Sequence, residues 1–250
     1  MSNKGFWGFP LKTPLIKKWR YKTMDKRKSY YIILDTETAP LDNTITDVDS
    51  KNMLTYDIGF CVVDKRGNVY DSHSYIIKEI FFDNNLMRSS YYYNKVPQYI
   101  QDIIAGNRTI KEFIEVQKIL FDTFEKWNCK AIISHNAIFD YNSLTTTLQY
   151  LTNKKVYYFP YNFPYWDSLK MSRDVLKTRK TYRNFCERNN YMTKHKKPRP
   201  QLKAEVIYKY LTNNLDFIES HTGLEDCLIE NEIVKYCFQS HKKMRKNLFE

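Results

Sequence analysis

Residues 30–38 read Tyr-Tyr-Ile-Ile-Leu-Asp-Thr-Glu-Thr. Tyr31, Ile32, Ile33 and Leu34 form a short apolar run rich in β-favouring side chains, which predicts a strand buried on both faces. The run ends in Asp35 and Glu37. Side chains alternate along a strand, so these two carboxylates share a face, with Cα atoms roughly 6.6 Å apart by strand rise. Two neighbouring carboxylates at a buried strand end repel and are poorly solvated. A cation or a shared proton between them removes that cost. Taken alone, Asp-x-Glu is equally well a strand end running into a polar turn with both acids in water. The rest of the chain decides between the two.

The 250 residues suffice for one large domain or two small ones, and 42% hydrophobic residues can build a full core. Lys and Arg number 40 against 28 Asp and Glu, a formal net charge of +12. That balance suits a polyanion, most plausibly nucleic acid, although a basic soluble protein has the same balance. The five cysteines are scattered, with no Cys-x-x-Cys pair. This argues against a disulfide framework or a zinc site and for a reducing compartment. No apolar run is long enough to span a membrane, and the N-terminus lacks the apolar core of a signal peptide. The expected location is cytoplasmic, or the host cytoplasm if the gene is a phage's.

Residues 1–29 form a basic leader with Asp25 as its sole acid, and Phe6, Trp7, Phe9, Leu15 and Trp19 interleaved. It reads as an apolar strap over the core, ahead of a nucleic-acid-gripping arm. Tyr56–Val63 and Val69–Ile77 predict two more strands around the turn Asp64–Asn68, making an antiparallel meander with the first. Residues 81–109 read as irregular, with a short helix near Gln98–Ala105, and Tyr91, Tyr92 and Tyr93 read as surface packing. A helix over Ile110–Trp127, a strand at Lys130–Ser134, a helix over Ala137–Leu151 and a strand ending near Asp167 complete an α/β pattern. Leu169–Leu176, Leu202–Leu211 and part of Glu219–Gln239 read as further helices. Residues 177–203 carry ten Lys and Arg against Glu187 alone. They read as a basic lobe or loop.

Two further acids stand out by position. On the helix from Ala137, residues 140, 144, 148 and 151 make one stripe: Asp140, Leu144, Leu148 and Leu151. The carboxylate heads the face that should be buried. Asp226 repeats this above Ile229, Ile233 and Cys237. The alternative for each is a first-turn acid in water, favourable to the helix dipole. Thr222 and Glu225 fit a capping box, which leaves His221 just outside the helix and able to reach the site of Asp226.

The segments Asp35-Thr-Glu-Thr38, His135-Asn-Ala-Ile-Phe-Asp140 and His221-Thr-Gly-Leu-Glu-Asp226 resemble, in order and spacing, the three motifs of the DnaQ-like DEDDh 3′→5′ exonucleases. The resemblance covers about residues 30–240. It implies an α/β fold of the ribonuclease H-like kind, a mixed five-stranded sheet flanked by helices. It further implies Asp35, Glu37, Asp140 and Asp226 as ligands of two Mg²⁺ or Mn²⁺ ions and His221 as general base. The expected substrate is single-stranded DNA or a frayed 3′ end, and a DNA polymerase served in trans is a conceivable partner. An RNA- or short-oligonucleotide-degrading relative, and a non-catalytic binding module, are the alternatives. The second is disfavoured because every motif acid is present. The expected organisation is the leader at 1–29 and one exonuclease domain over 30–250, with a basic insertion at about 177–203. One departure is Ala39-Pro40, where many relatives have Thr-Gly.

Overall fold

The computed structural model describes residues 24–42 and 49–250. The chain order is β1 Tyr30–Pro40, β2 Met53–Asp64, β3 Val69–Ile77, α1 Lys78–Phe81, α2 Asn84–Arg88, α3 Val96–Ile104 and β4 Thr109–Lys111. There follow α4 Phe113–Lys126, β5 Ile132–Ser134, α5 Ile138–Thr152, β6 Tyr165–Asp167, α6 Ser168–Leu176, α7 Lys180–Arg188, α8 Ala204–Thr212 and α9 Gly223–Gln239. The six strands form one mixed sheet in the order β4-β3-β2-β1-β5-β6. β1, β2 and β3 are the antiparallel meander, while β5 runs parallel to β1 and β6 parallel to β5.

Alternation along β1 divides the core into two layers. Ile32 and Leu34 pack with Phe113, Leu120, Leu144 and Leu148 of α4 and α5. Tyr31 and Ile33 pack on the other face with Met171, Tyr182, Ile207 and Ile233 of α6 to α9. By the same alternation Asp35 and Glu37 belong to the α9 face and Thr36 to the α5 face. The buried-strand reading of residues 30–38 holds, and β1 continues through Ala39 and Pro40, which pair with Leu54 and Met53. A bulge opposite Glu37 and Thr38 leaves Tyr56 as the extra residue of β2.

The sheet has one strand more than the five expected. β4 is a three-residue edge strand parallel to β3, too short for any periodicity to show, and it displaces the start of α4 from Ile110 to Phe113. Helix α7 lies inside the basic segment expected to be a lobe or loop. Its Tyr182 and Cys186 are buried one turn apart, but four charged residues in nine mask that stripe. Met24 packs against the core and Lys28 reaches Asp64 and the Tyr70 hydroxyl; the rest of the leader reading lies largely outside the described residues. Among the described residues no helix is long and apolar enough to cross a membrane.

Candidate active site

Helix α9 reaches the middle of β1 because two glycines let backbones touch. Gly59 of β2 sits opposite Asp35 in the register. A Cβ on Gly59 would lie 2.0 Å from the Leu224 nitrogen, and one on Gly223 would lie 2.6 Å from the Gly59 nitrogen. No side chain fits that crossing. Gly59→Ala must push α9 off the sheet, at a cost of about 1–3 kcal/mol or more by analogy with overpacked cores. Denaturant unfolding should show that loss, together with a drop in any activity the site has. Stability equal to wild type would mean the crossing is looser than described.

A buried charge network pins the same helix end. Asp57, fully buried on β2, accepts from the Gly223 backbone N–H (3.0 Å), the Tyr99 hydroxyl (2.9 Å) and Arg108 Nη1 (3.3 Å). Arg108, also buried, donates through Nη2 to Glu225 (2.8 Å), through Nε to Asp102 (3.2 Å) and through Nη1 to the Ser74 hydroxyl (2.9 Å). Burial pushes the Asp57 carboxyl up, and the Arg108 charge and the Gly223 N–H oppose that push. Thr222 is the N-cap of α9 as expected, but the capping box does not form. The Thr222 hydroxyl donates to the Glu225 carboxylate (2.7 Å), which is turned toward Arg108. Nothing in the sequence near Arg108 announces this role, since three of its four partners, Asp57, Ser74 and Glu225, come from distant segments.

Three of the five expected residues meet at this corner. Glu37, His221 and Asp226 bring ligand atoms within 4.8 Å of one another. Asp35 lies outside that triplet but feels the charges of Glu37 and Asp226, and Asp140 acts on Asp35 in turn. Asp140, buried in the first turn of α5, accepts from the Thr36 hydroxyl (2.9 Å), so β1 presents acids to one layer and a hydroxyl to the other. Burial, then the charges of Glu230, Asp140, Asp226 and Glu37, drive the Asp35 carboxyl well above the ordinary range. Glu37 is raised in the same direction by burial and by Asp226, with Lys95 opposing.

Glu230 is a fifth carboxylate that the motif spacing does not mark. It lies one turn beyond Asp226, is 3% exposed, and both its oxygens accept from the His135 backbone N–H at 3.1 Å. A glutamate inside a helix is ordinary; only its place on the stripe below Asp226 could have marked it. The His135 ring is itself held between the Ser168 hydroxyl (2.9 Å) and the Leu202 carbonyl (2.7 Å).

His221 precedes α9 with φ at 50°, a left-handed conformation uncommon for a non-glycine residue and costing on the order of 1 kcal/mol. Its side chain is 36% exposed. Tyr92, expected to be surface packing, stacks on the His221 ring with centroids 4.6 Å apart and planes 18° apart. Lys95 lies over the Tyr92 ring, donates to the Ser220 carbonyl and approaches the His221 carbonyl at 3.4 Å. Burial, then the Lys95 charge, lower the His221 pKa, so the ring is neutral at neutral pH.

The protonation of this corner sets a pH dependence. Burial pushes Asp140 up to about 7 and Asp226 up to about 8. Unfolded, both titrate near ~3.9. Between about pH 4 and pH 8 the folded, metal-free protein therefore holds protons that the unfolded chain has released, and stability falls as pH rises through that window. Asp71 and Asp174, held down to about 2, act with the opposite sign only below about pH 4. The melting temperature in EDTA should drop from about pH 5 to about pH 8, and Asp226→Asn should flatten the slope. A flat or rising wild-type profile would contradict a desolvated acid cluster.

No family model and no curated protein sequence matches the chain. Solved structures do. The nuclease domain of 3′hExo, a DEDDh family member bound to rAMP, superposes with a TM-score of 0.55 at 17% identity, over 89% of this chain and 98% of that one. The chain has the fold of the DEDDh exonucleases. A full-length 3′-exonuclease shares this exonuclease fold with a TM-score of 0.52 at 16% identity, over 90% of this chain and 66% of that one. The E. coli exonuclease I complex with single-stranded DNA gives 0.55 at 15% identity, over 84% of this chain and 40% of that one. Within that fold, Glu37 of β1 and Asp226 of α9 stand together with His221.

Proposed function

We propose that this chain is a divalent-metal-dependent 3′→5′ exonuclease that hydrolyses single-stranded DNA or frayed 3′ ends to nucleoside 5′-monophosphates. The observation that carries the reading is the meeting of Glu37 of β1 with His221 and Asp226 at the start of α9 within 4.8 Å, beside Asp35. The cluster fits a pair of hard cations. Its carboxylates are buried and displaced upward, so each calls for a proton or a positive charge, and Lys95 alone cannot neutralise them. An oxygen donor set suits Mg²⁺ or Mn²⁺ better than zinc.

Asp35, Glu37, Asp140 and Asp226 would hold the ions, and Glu230 adds negative charge behind them. When bound, the ions supply Lewis acidity, which offsets phosphate charge and makes water more acidic. His221 accepts the proton of the attacking water, for which a neutral ring is required, and its partly exposed edge returns that proton to solvent. The water oxygen bonds to phosphorus as the bond to the 3′ oxygen breaks, and that oxygen leaves as the new 3′ hydroxyl of the shortened strand, taking its proton from solvent. Tyr92 and Lys95 hold the loop and ring of His221 in place.

Incubating the protein with end-labelled single-stranded DNA, duplex DNA and RNA, in Mg²⁺, Mn²⁺ or EDTA, tests this reading. Single-stranded DNA should be degraded fastest, with no cleavage in EDTA. Faster loss of RNA would move the substrate class. Binding without hydrolysis of any substrate would leave a non-catalytic module.

A further inference from the structure

We propose that the hairpin around residues 193–199 is the landing surface for the phosphate backbone of a single-stranded nucleic acid, upstream of the 3′ end being cleaved. The inference rests on the exonuclease reading for its direction. It rests on geometry for the surface itself.

The hairpin is built, not loose. Met192 and Pro200 form an antiparallel bridge. The Thr193 N–H donates to the Arg199 carbonyl (2.8 Å), and the Arg199 N–H to the Thr193 hydroxyl (3.0 Å). The Gln201 N–H closes the base on the Tyr191 carbonyl (2.9 Å), and Tyr191 stacks against Phe185 of α7. On this frame Lys194, His195, Lys196, Lys197 and Arg199 are all exposed. Glu187 is the one acid in the stretch, and it is paired with Arg183. Among the described residues, none of Lys194, Lys196, Lys197 and Arg199 has an acidic partner in an ion pair. Like charges crowded on a braced loop repel, and a polyanion relieves that repulsion without ordering the loop anew.

The base of the hairpin is tied to the acid cluster. Leu202, three residues beyond Arg199, gives its carbonyl to the His135 ring, and the backbone of His135 holds Glu230. Three residues span at most about 11 Å. The charge of Lys203 acts on both Glu219 and His221.

The test is binding, measured without turnover. A fluorescein-labelled oligothymidylate of about 20 nucleotides, longer than the site size of most single-strand binders, is titrated in EDTA and read by anisotropy. The variant K194S/K196S/K197S/R199S is compared with wild type and with K118S/K130S/K154S/K155S, which removes four exposed charges elsewhere. The hairpin variant should raise Kd roughly tenfold or more at low salt, and its log–log salt slope should shrink by about 0.7 for each phosphate it no longer neutralises. The control variant should bind as wild type does. Equal Kd and slope in hairpin variant and wild type, equal weakening in the control, or no binding by wild type would each overturn the proposal. Wild-type binding that the hairpin variant loses, with no hydrolysis in Mg²⁺, would sink the exonuclease reading and leave the surface standing.

Discussion

Asp35→Asn should lower kcat roughly a thousandfold or more while raising the metal-free melting temperature. The amide keeps the shape of the carboxylate in the middle of β1 but removes one ligand charge from the proposed metal site. Metal chemistry supplies several kcal/mol of charge stabilisation, and each 1.36 kcal/mol is a factor of ten in rate. The opposite sign of the stability effect follows from the surroundings. Burial and the charges of Glu230, Asp140, Asp226 and Glu37 all disfavour an ionised Asp35, so a neutral group there relieves repulsion. Turnover under saturating Mg²⁺ and melting in EDTA, measured on one preparation, check both halves. Near-wild-type turnover would take Asp35 out of the site. Lost turnover with a lowered melting temperature would mean that the fold, rather than the chemistry, had failed.

His221→Ala should cost about 10²–10⁴-fold in kcat, the usual worth of a general base, with metal affinity retained. The acidic limb of the pH–rate profile should flatten, because the group that must be deprotonated is gone. In the wild type that limb should lie below the ordinary histidine range, since burial and Lys95 both lower the His221 pKa. Tyr92→Ala should move in the same direction as His221→Ala, while Tyr92→Phe, which keeps the stacked ring, should not. A fall in metal affinity matching the fall in kcat would instead make His221 a ligand, which its place beside Glu37 and Asp226 would also permit.

What could be read from the chain beforehand was whatever burial prints locally. Strand β1 shows as an apolar run that ends in acids, and α5 and α9 show as stripes in which Asp140 and Asp226 stand above leucine and isoleucine. Both acids are buried, as those stripes require. The sheet was legible except for β4, whose three residues cannot carry a period. Helix α7 was hidden because its charged face outweighs Tyr182 and Cys186. The parts of the site that were missed depend on packing between distant segments. Glu230 matters because α9 packs on β1. Arg108 matters because four segments meet around it. Tyr92 looked like surface until the turn at His221 laid a ring on it. Gly59 and Gly223 are each ordinary in sequence and become necessary only where two backbones cross.

The central claim is that these acids and His221 remove nucleotides one at a time from a 3′ end, and one measurement bears on it most directly. The same single-stranded oligonucleotide is labelled either at its 5′ or at its 3′ terminus and sampled over time in Mg²⁺ and in EDTA. The account predicts a ladder of steadily shortening fragments from the 5′ label, immediate release of a labelled mononucleotide from the 3′ label, and no product of either kind in EDTA. Internal cuts at early times, mononucleotide released first from the 5′ label, or cleavage that survives EDTA would contradict it.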